Sequence, residues 1–202
     1  MPLHALGRMV GGCIFAVALG ACQPAVAACL TGAHQSVVIH VKRLNRDIVF
    51  DIPAPYPVEV FGHDSFVIAF SYPGFAPRPV DAGTTGPAAR IIVYGSAVGE
   101  ALADFKLKHP PTTYLRTENG IELHQGTLGA GSIVNYYFFR DADGDPVLFD
   151  DMGRIAVGYL YTRRMPEGAD LRGVVSKKIG NAFRGFDADV TGFIKNMICE
   201  KK

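Results

Sequence analysis

Asp141-Ala142-Asp143-Gly144-Asp145 places three carboxylates at alternate positions. A calcium loop begins with this spacing, because alternate side chains of a tight loop converge on one cation. An EF-hand also needs Gly at its sixth position and a bidentate acid at its twelfth, and here Pro146 and Met152 stand there. Strand-forming residues flank the stretch on both sides, and Asp and Gly are ordinary turn formers. DADGD therefore reads as the turn of a hairpin, with no metal site expected. Asp150 and Asp151 follow closely, so five acids fall within 11 residues with no base between them. Such a density predicts a negative patch suited to docking on a basic surface. It also fits a solvated turn that keeps a sheet edge from associating.

Ser96 lies in VYGSAVGEA, where a strand runs into a helix. A nucleophile elbow has that layout but requires G-x-S-x-G, and Tyr94 and Val98 occupy the two glycine positions. Ser96 reads instead as a helix N-cap. His34, His40, His63, His109 and His124 are scattered without a metal-ligand spacing, and the adjacent His63 and Asp64 would not face one another on a strand. No catalytic residue is assigned. The chain is read as a non-enzyme without cofactor.

These residues need elements to hold them. Ser36–Val41 and Asp47–Ile52 are short β-rich runs separated by KRLNR and read as a hairpin. Pro53, Pro55 and Pro57 put the following segment at a sheet edge or in an exposed extended stretch, because proline cannot donate to a ladder. Further strands are expected over 64–72, 90–94, 113–118, 121–125, 133–140, 147–149 and 154–162. Asn119-Gly120 supplies the positive φ angles of a two-residue hairpin turn. Helical spacing appears at Val98, Ala101, Leu102 and Phe105. It recurs at Leu171, Val174, Val175, Ile179, Phe183 and Phe186, and again at Val190, Phe193, Ile194, Met197 and Ile198, with Gly185 a break or bend between the last two groups. The expected fold is α+β: a mostly antiparallel sheet, a meander of hairpins, with C-terminal amphipathic helices packed on one face.

The first residues have another role. Arg8 and His4 precede Met9–Leu19, an uncharged apolar run too short to span a bilayer. The layout is that of a secretory signal. Ala25-Val26-Ala27 offers a cut after residue 27, while Leu19-Gly20-Ala21-Cys22 resembles a lipobox that would cut after residue 21 and lipidate Cys22. Both exits stay open. The expected organisation is a signal over 1–27 (or 1–21) and one globular domain over 28–202. Either route leaves Cys29 and Cys199 as the free pair, and two cysteines in an exported chain point to a disulfide. It would close a loop worth roughly 5 kcal/mol in the chain-entropy model. Loss of residues 1–27 lowers Lys+Arg from 20 to 19 against 19 acids, and a neutral chain shows no basic excess of the kind nucleic-acid binding requires. Cys22 would be the one membrane anchor, so the expected location is the periplasm, soluble or lipid-tethered to the outer membrane.

The order DIPAPYPVEV, FSYPGFAP, YYFFRDADGDPVLF, VGYLYTRR and an amphipathic C-terminal helix resembles a group of small exported bacterial proteins. That group is similar to immunity proteins encoded beside type VI secretion effectors, notably lipase or phospholipase toxins of the envelope. The matching positions are Ile52, Pro53 and Tyr56; Tyr72, Pro73 and Pro77; and Phe139, Asp143 and Pro146. The resemblance implies a non-catalytic protein that binds a toxin and occludes it, over roughly 800 Å² per partner. The candidate contacts are Asp141, Asp143, Asp145, Asp150 and Asp151, and Tyr56 in the proline-stiffened segment from Pro53 to Phe61. The alternative is an envelope lipoprotein with a ligand-binding or structural role and no toxin partner.

Overall fold

The computed structural model describes residues 32–81, 88–95, 100–153 and 157–199. The N-terminal leader with both exits, Cys22, Cys29 and Ser96 lie outside the described residues. Strands β1 (His34–Val41) and β2 (Arg46–Pro53) pair as the expected hairpin, Val41 opposite Arg46. Strands β3 (Val58–Phe61), β4 (Ser65–Ser71) and β5 (Ala88–Gly95) begin a second sheet. Helix α1 (Leu102–Lys108) then carries the chain to the far edge of that sheet, at β6 (Thr113–Glu118). The chain returns strand by strand through β7 (Ile121–Thr127), β8 (Ile133–Arg140), β9 (Pro146–Asp151), β10 (Gly158–Arg164) and β11 (Ala169–Ser176). Strand β11 closes against β5, giving the nine-strand order β3-β4-β5-β11-β10-β9-β8-β7-β6. After helix α2 (Phe183–Lys195), the short β12 (Ile198–Cys199) pairs with β2 in a three-stranded sheet. Every pairing is antiparallel, and the fold is α+β as the sequence pattern predicts.

The turns follow their residues. Asn119 and Gly120 have φ of 52° and 72°, the two positive angles that let a two-residue loop match strand twist. The proline-rich segment leads into β3, an edge strand of the large sheet. Gly95 ends β5 where β1 crosses it; a Cβ there would lie 1.9 Å from the His40 carbonyl oxygen, so only glycine admits the approach.

Two helical expectations fail. Leu171, Val174 and Val175 lie in strand β11, not in a helix. That strand runs through the middle of the sheet and is covered in part on both faces, so its apolar residues do not alternate cleanly and mimic a helical spacing. There is accordingly one C-terminal helix among the described residues, and Gly185 sits inside it without ending it. Helix α1 begins later than expected, with Ala101 rather than Ser96 at its N-cap. Phe105 points outward at 46% exposure while Ala103 is the residue buried. Charged contacts orient this short helix: Arg140 Nη2 reaches Asp104 Oδ1 at 3.0 Å, and Lys106 Nζ reaches Asp150 Oδ2 at 2.6 Å.

One face of the large sheet meets both α2 and the small sheet in a single core. Phe66, Ile91, Phe149 and Leu171 from the large sheet meet Ile39 and Phe50 from the small one and Phe183, Phe186 and Val190 from α2. The other face carries a smaller cluster, Val134, Tyr136, Phe138 and Leu148, under Ala103 of α1. No helix among the described residues is long and apolar enough to cross a membrane.

Candidate functional site

The β8–β9 hairpin ends in the DADGD turn, and Asp141 organises it. Its Oδ1 accepts from the backbone N–H of Asp143 at 3.0 Å and of Asp145 at 2.8 Å. Its own N–H donates to the Asp145 carbonyl, and Gly144 supplies a φ of 85°. The turn is thus an Asp-capped loop whose first carboxylate is engaged by protein donors. Among the described residues no group of three or more His, Cys, Asp or Glu is placed to hold a metal ion.

Asp141 Oδ2 faces inward, where Arg163 Nη2 donates to it at 2.5 Å. Arg163 stands on β10 two residues after Tyr161, so strand alternation turns both side chains to the face covered by α2. The guanidinium is 2% exposed. Its Nη1 donates to Asp187 Oδ2 at 2.9 Å and to Thr191 Oγ1 at 2.7 Å, one turn apart on α2. The Tyr161 hydroxyl donates to Asp187 Oδ1 at 2.6 Å. Asp145 Oδ2 lies 4.0 Å from the same guanidinium. One buried cation thus serves three carboxylates: Asp141, Asp145 and Asp187. Burial holds the Asp187 carboxyl above the ordinary range, opposed chiefly by Arg163. Burial raises Asp145 as well, reinforced by Asp141. Asp143 projects from the turn, exposed. Beside the cluster a cavity of about 390 Å³ opens between the turn and α2, with Phe139, Asp143, Arg163, Arg184 and Asp187 in its wall.

Of the sequence-predicted contacts, the structure therefore brings together Asp141, Asp143 and Asp145. Asp150 and Asp151 lie further along β9, away from the turn. Asp151 accepts from Lys177 Nζ at 2.7 Å. Asp150 points to the opposite face of the sheet, 5% exposed, and its Oδ1 is buried without a hydrogen-bond partner among the described residues. Burial raises its carboxyl above the usual range, with Lys106 opposing. Lys106→Met is expected to cost about 2–3 kcal/mol at neutral pH, less than a fully buried pair because Lys106 keeps 28% exposure. Removing Lys106 raises the folded-state pKa further. The deficit should therefore shrink as pH falls through the carboxylate range, where a protonated Asp150 needs no cation. Urea denaturation at neutral and acid pH measures both.

Tyr56 is also apart from the turn. Its hydroxyl donates to the Phe75 carbonyl at 2.5 Å and its ring lies 5.3 Å from that of Phe193. It packs against Phe193, on a different side of α2 from Asp187 and Thr191. His40 and His63 meet through the backbone, the His40 N–H donating to the His63 carbonyl at 3.0 Å, while the His40 ring meets Asp47 at 2.8 Å and the His124 ring meets Glu122 at 2.9 Å. Asp64 pairs with Lys42 at 3.6 Å, not with His63. Cys199 is buried on β12.

Sequence reasoning missed Arg163, Asp187, Thr191 and Arg184. A signal existed for Asp187: it falls on the apolar stripe of α2, between Phe183, Phe186 and Val190. An acid on a buried stripe requires a partner. Which residue it meets is not readable from spacing.

No family profile matches the chain, and no curated protein matches it. Among solved structures, it is similar to the crystal structure of the Neisseria meningitidis iron-regulated outer membrane lipoprotein FrpD, with 9% identity and a TM-score of 0.49, over 81% of this chain and 92% of that chain.

Proposed function

We propose that this chain is an exported envelope protein that works by binding a partner protein. The observation that carries this reading is the concave surface at the β8–β9 turn. There Asp141, Asp145 and Asp187 share one buried guanidinium beside a cavity, and Asp143 stands free at its mouth. Asp141, Asp187, Arg163 and Tyr161 engage one another, so the surface is held in shape before any partner arrives, which reduces the entropy lost on docking. Its exposed carboxylate, Asp143, suits a basic side chain of the partner.

The finer form of the reading is an immunity protein that covers an envelope-targeting type VI secretion toxin. The motif resemblance supports that form. In the general form, the protein is a periplasmic or lipid-tethered envelope component with another partner. Export with loss of residues 1–27, lipidation at Cys22, and pairing of Cys29 with Cys199 belong to the same proposal; intact-mass measurement of native material, reduced and unreduced, separates them.

Affinity capture from envelope extract tests the binding itself. Asp143→Lys reverses one exposed charge and should weaken capture of the specific partner about tenfold, chiefly by slowing association and with a reduced salt dependence. Capture that is insensitive to this change would remove the turn as the contact. Co-expression with a toxin encoded next door, directed to the periplasm, tests the finer form: rescue supports immunity, and continued killing leaves the general form.

A further inference from the structure

Helix α1 lies across β9 and β10, on the face of the large sheet opposite α2. Its apolar hold there is slight. Ala103 is its buried residue, Leu107 packs in part against the cluster of Val134, Tyr136, Phe138 and Leu148, and Phe105 points outward. Two ion pairs supply the rest, Arg140 with Asp104 at the edge and Lys106 with Asp150 beneath. The second pair is unbalanced. Asp150 Oδ2 accepts from Lys106 Nζ, while Oδ1 is buried with no hydrogen-bond partner among the described residues. Tyr136 on β8 and Leu160 on β10 stand directly opposite Asp150, and the Thr162 hydroxyl accepts from Lys106 Nζ at 3.5 Å. Tyr136 stays neutral, because burial and the Asp150 charge raise its hydroxyl above the ordinary tyrosine value. Asp151 turns to Lys177 on the other face, and His124 lies one strand further out, opposite Tyr136 and bonded to Glu122.

We infer that α1 is an acid-fastened latch: protonation of Asp150 seats the helix and ionisation loosens it. An ionised carboxylate with one bare buried oxygen gains water when the helix lifts, and a neutral carboxyl gains much less. Lys106 favours the ionised form in the seated state, but burial outweighs it and the carboxyl is raised. A group raised in the seated state stabilises that state fully below its open-state pKa, and the contribution is lost as pH rises through the seated value. Lifting a helix this short is a local opening, and it uncovers Val134, Tyr136, Phe138 and Leu148. The latch lies on the other face from α2 and does not depend on the binding role proposed above.

Amide exchange in the native chain, corrected for the intrinsic pH dependence, tests it. The Phe105 and His109 amides, which donate to the Ala101 and Phe105 carbonyls, report the opening. Their opening should become at least about threefold rarer from neutral pH down through the carboxylate range. The midpoint should coincide with the titration of the Asp150 carboxyl carbon followed by NMR. Asp150→Asn should keep the helix seated and remove the pH dependence; Lys106→Met should steepen it, because the opposing cation is gone. The coincidence of midpoints stands by itself if either variant folds poorly. Opening that is independent of pH, that grows in acid, or that follows a group other than Asp150 overturns the inference.

Discussion

Arg163→Met is expected to destabilise the fold by about 3–5 kcal/mol at neutral pH, as removal of one partner from a buried ion pair does. Arg163 and Asp187 are each 2% exposed as whole residues. The methionine would leave Asp187 facing only the Tyr161 hydroxyl and would free Asp141 Oδ2. The pH dependence follows from the direction of the Asp187 shift. Burial already raises that pKa above the ordinary aspartate range, with Arg163 the main opposing influence. Without Arg163 it rises further, so the folded variant holds its proton more tightly than the unfolded chain. Stability from that proton is present below the unfolded pKa of about 4 and disappears as pH rises through the folded value. The variant should therefore approach the parent near pH 4 and fall away from it toward neutrality. Asp187→Asn added to Arg163→Met should recover part of the loss at pH 7, because it removes the stranded charge. Denaturant titrations across this range test the account; a pH-independent deficit would mean that lost packing, not the uncompensated carboxylate, dominates.

Phe149→Ala should cost about as much, 3–5 kcal/mol, for a reason unrelated to charge. The Phe149 ring is fully buried and lies 4.7 Å from Phe183, 5.0 Å from Tyr161 and 5.9 Å from Phe186 by centroid. It joins β9 to both the first turns of α2 and the strand that carries Arg163. Truncation leaves a cavity that these rings cannot close without moving the helix. Amide exchange in α2 should accelerate along with the fall in thermal stability. Phe105→Ala is the contrast: at 46% exposure it should change stability by less than about 0.5 kcal/mol. A large loss there would restore the inward-facing helix that apolar spacing over 98–105 predicts.

Which elements could be read in advance depends on how local their causes are. The β6–β7 hairpin was legible because Asn119-Gly120 dictates its own turn, and the β8–β9 hairpin because DADGDP cannot continue a strand. Strand β11 was not. Its partners are β5 and β10 on either side, and burial from two faces erases the alternation that marks a half-exposed strand. The β10–β11 turn, where the Met165 N–H donates to the Ala169 carbonyl at 2.8 Å, lies in MPEGA, whose Gly168 has a φ of 99°; a glycine there was the available sign.

The site divides in the same way. Composition and spacing alone located the acidic turn, excluded an EF-hand and marked the C-terminal amphipathic pattern, since turn propensity, ligand count and helical period are properties of residues near one another in the chain. They could not tell that Asp141 is capped and paired while Asp143 is free, nor that Asp150 faces away from both. Those facts depend on Arg163, 22 residues from Asp141 and 24 from Asp187 in sequence, and on the fold that stacks β10, the turn and α2 around it. Charges separated by that length of chain meet only when the sheet register and the seat of the helix are set. Partner choice in a buried polar cluster is therefore a property of the tertiary structure.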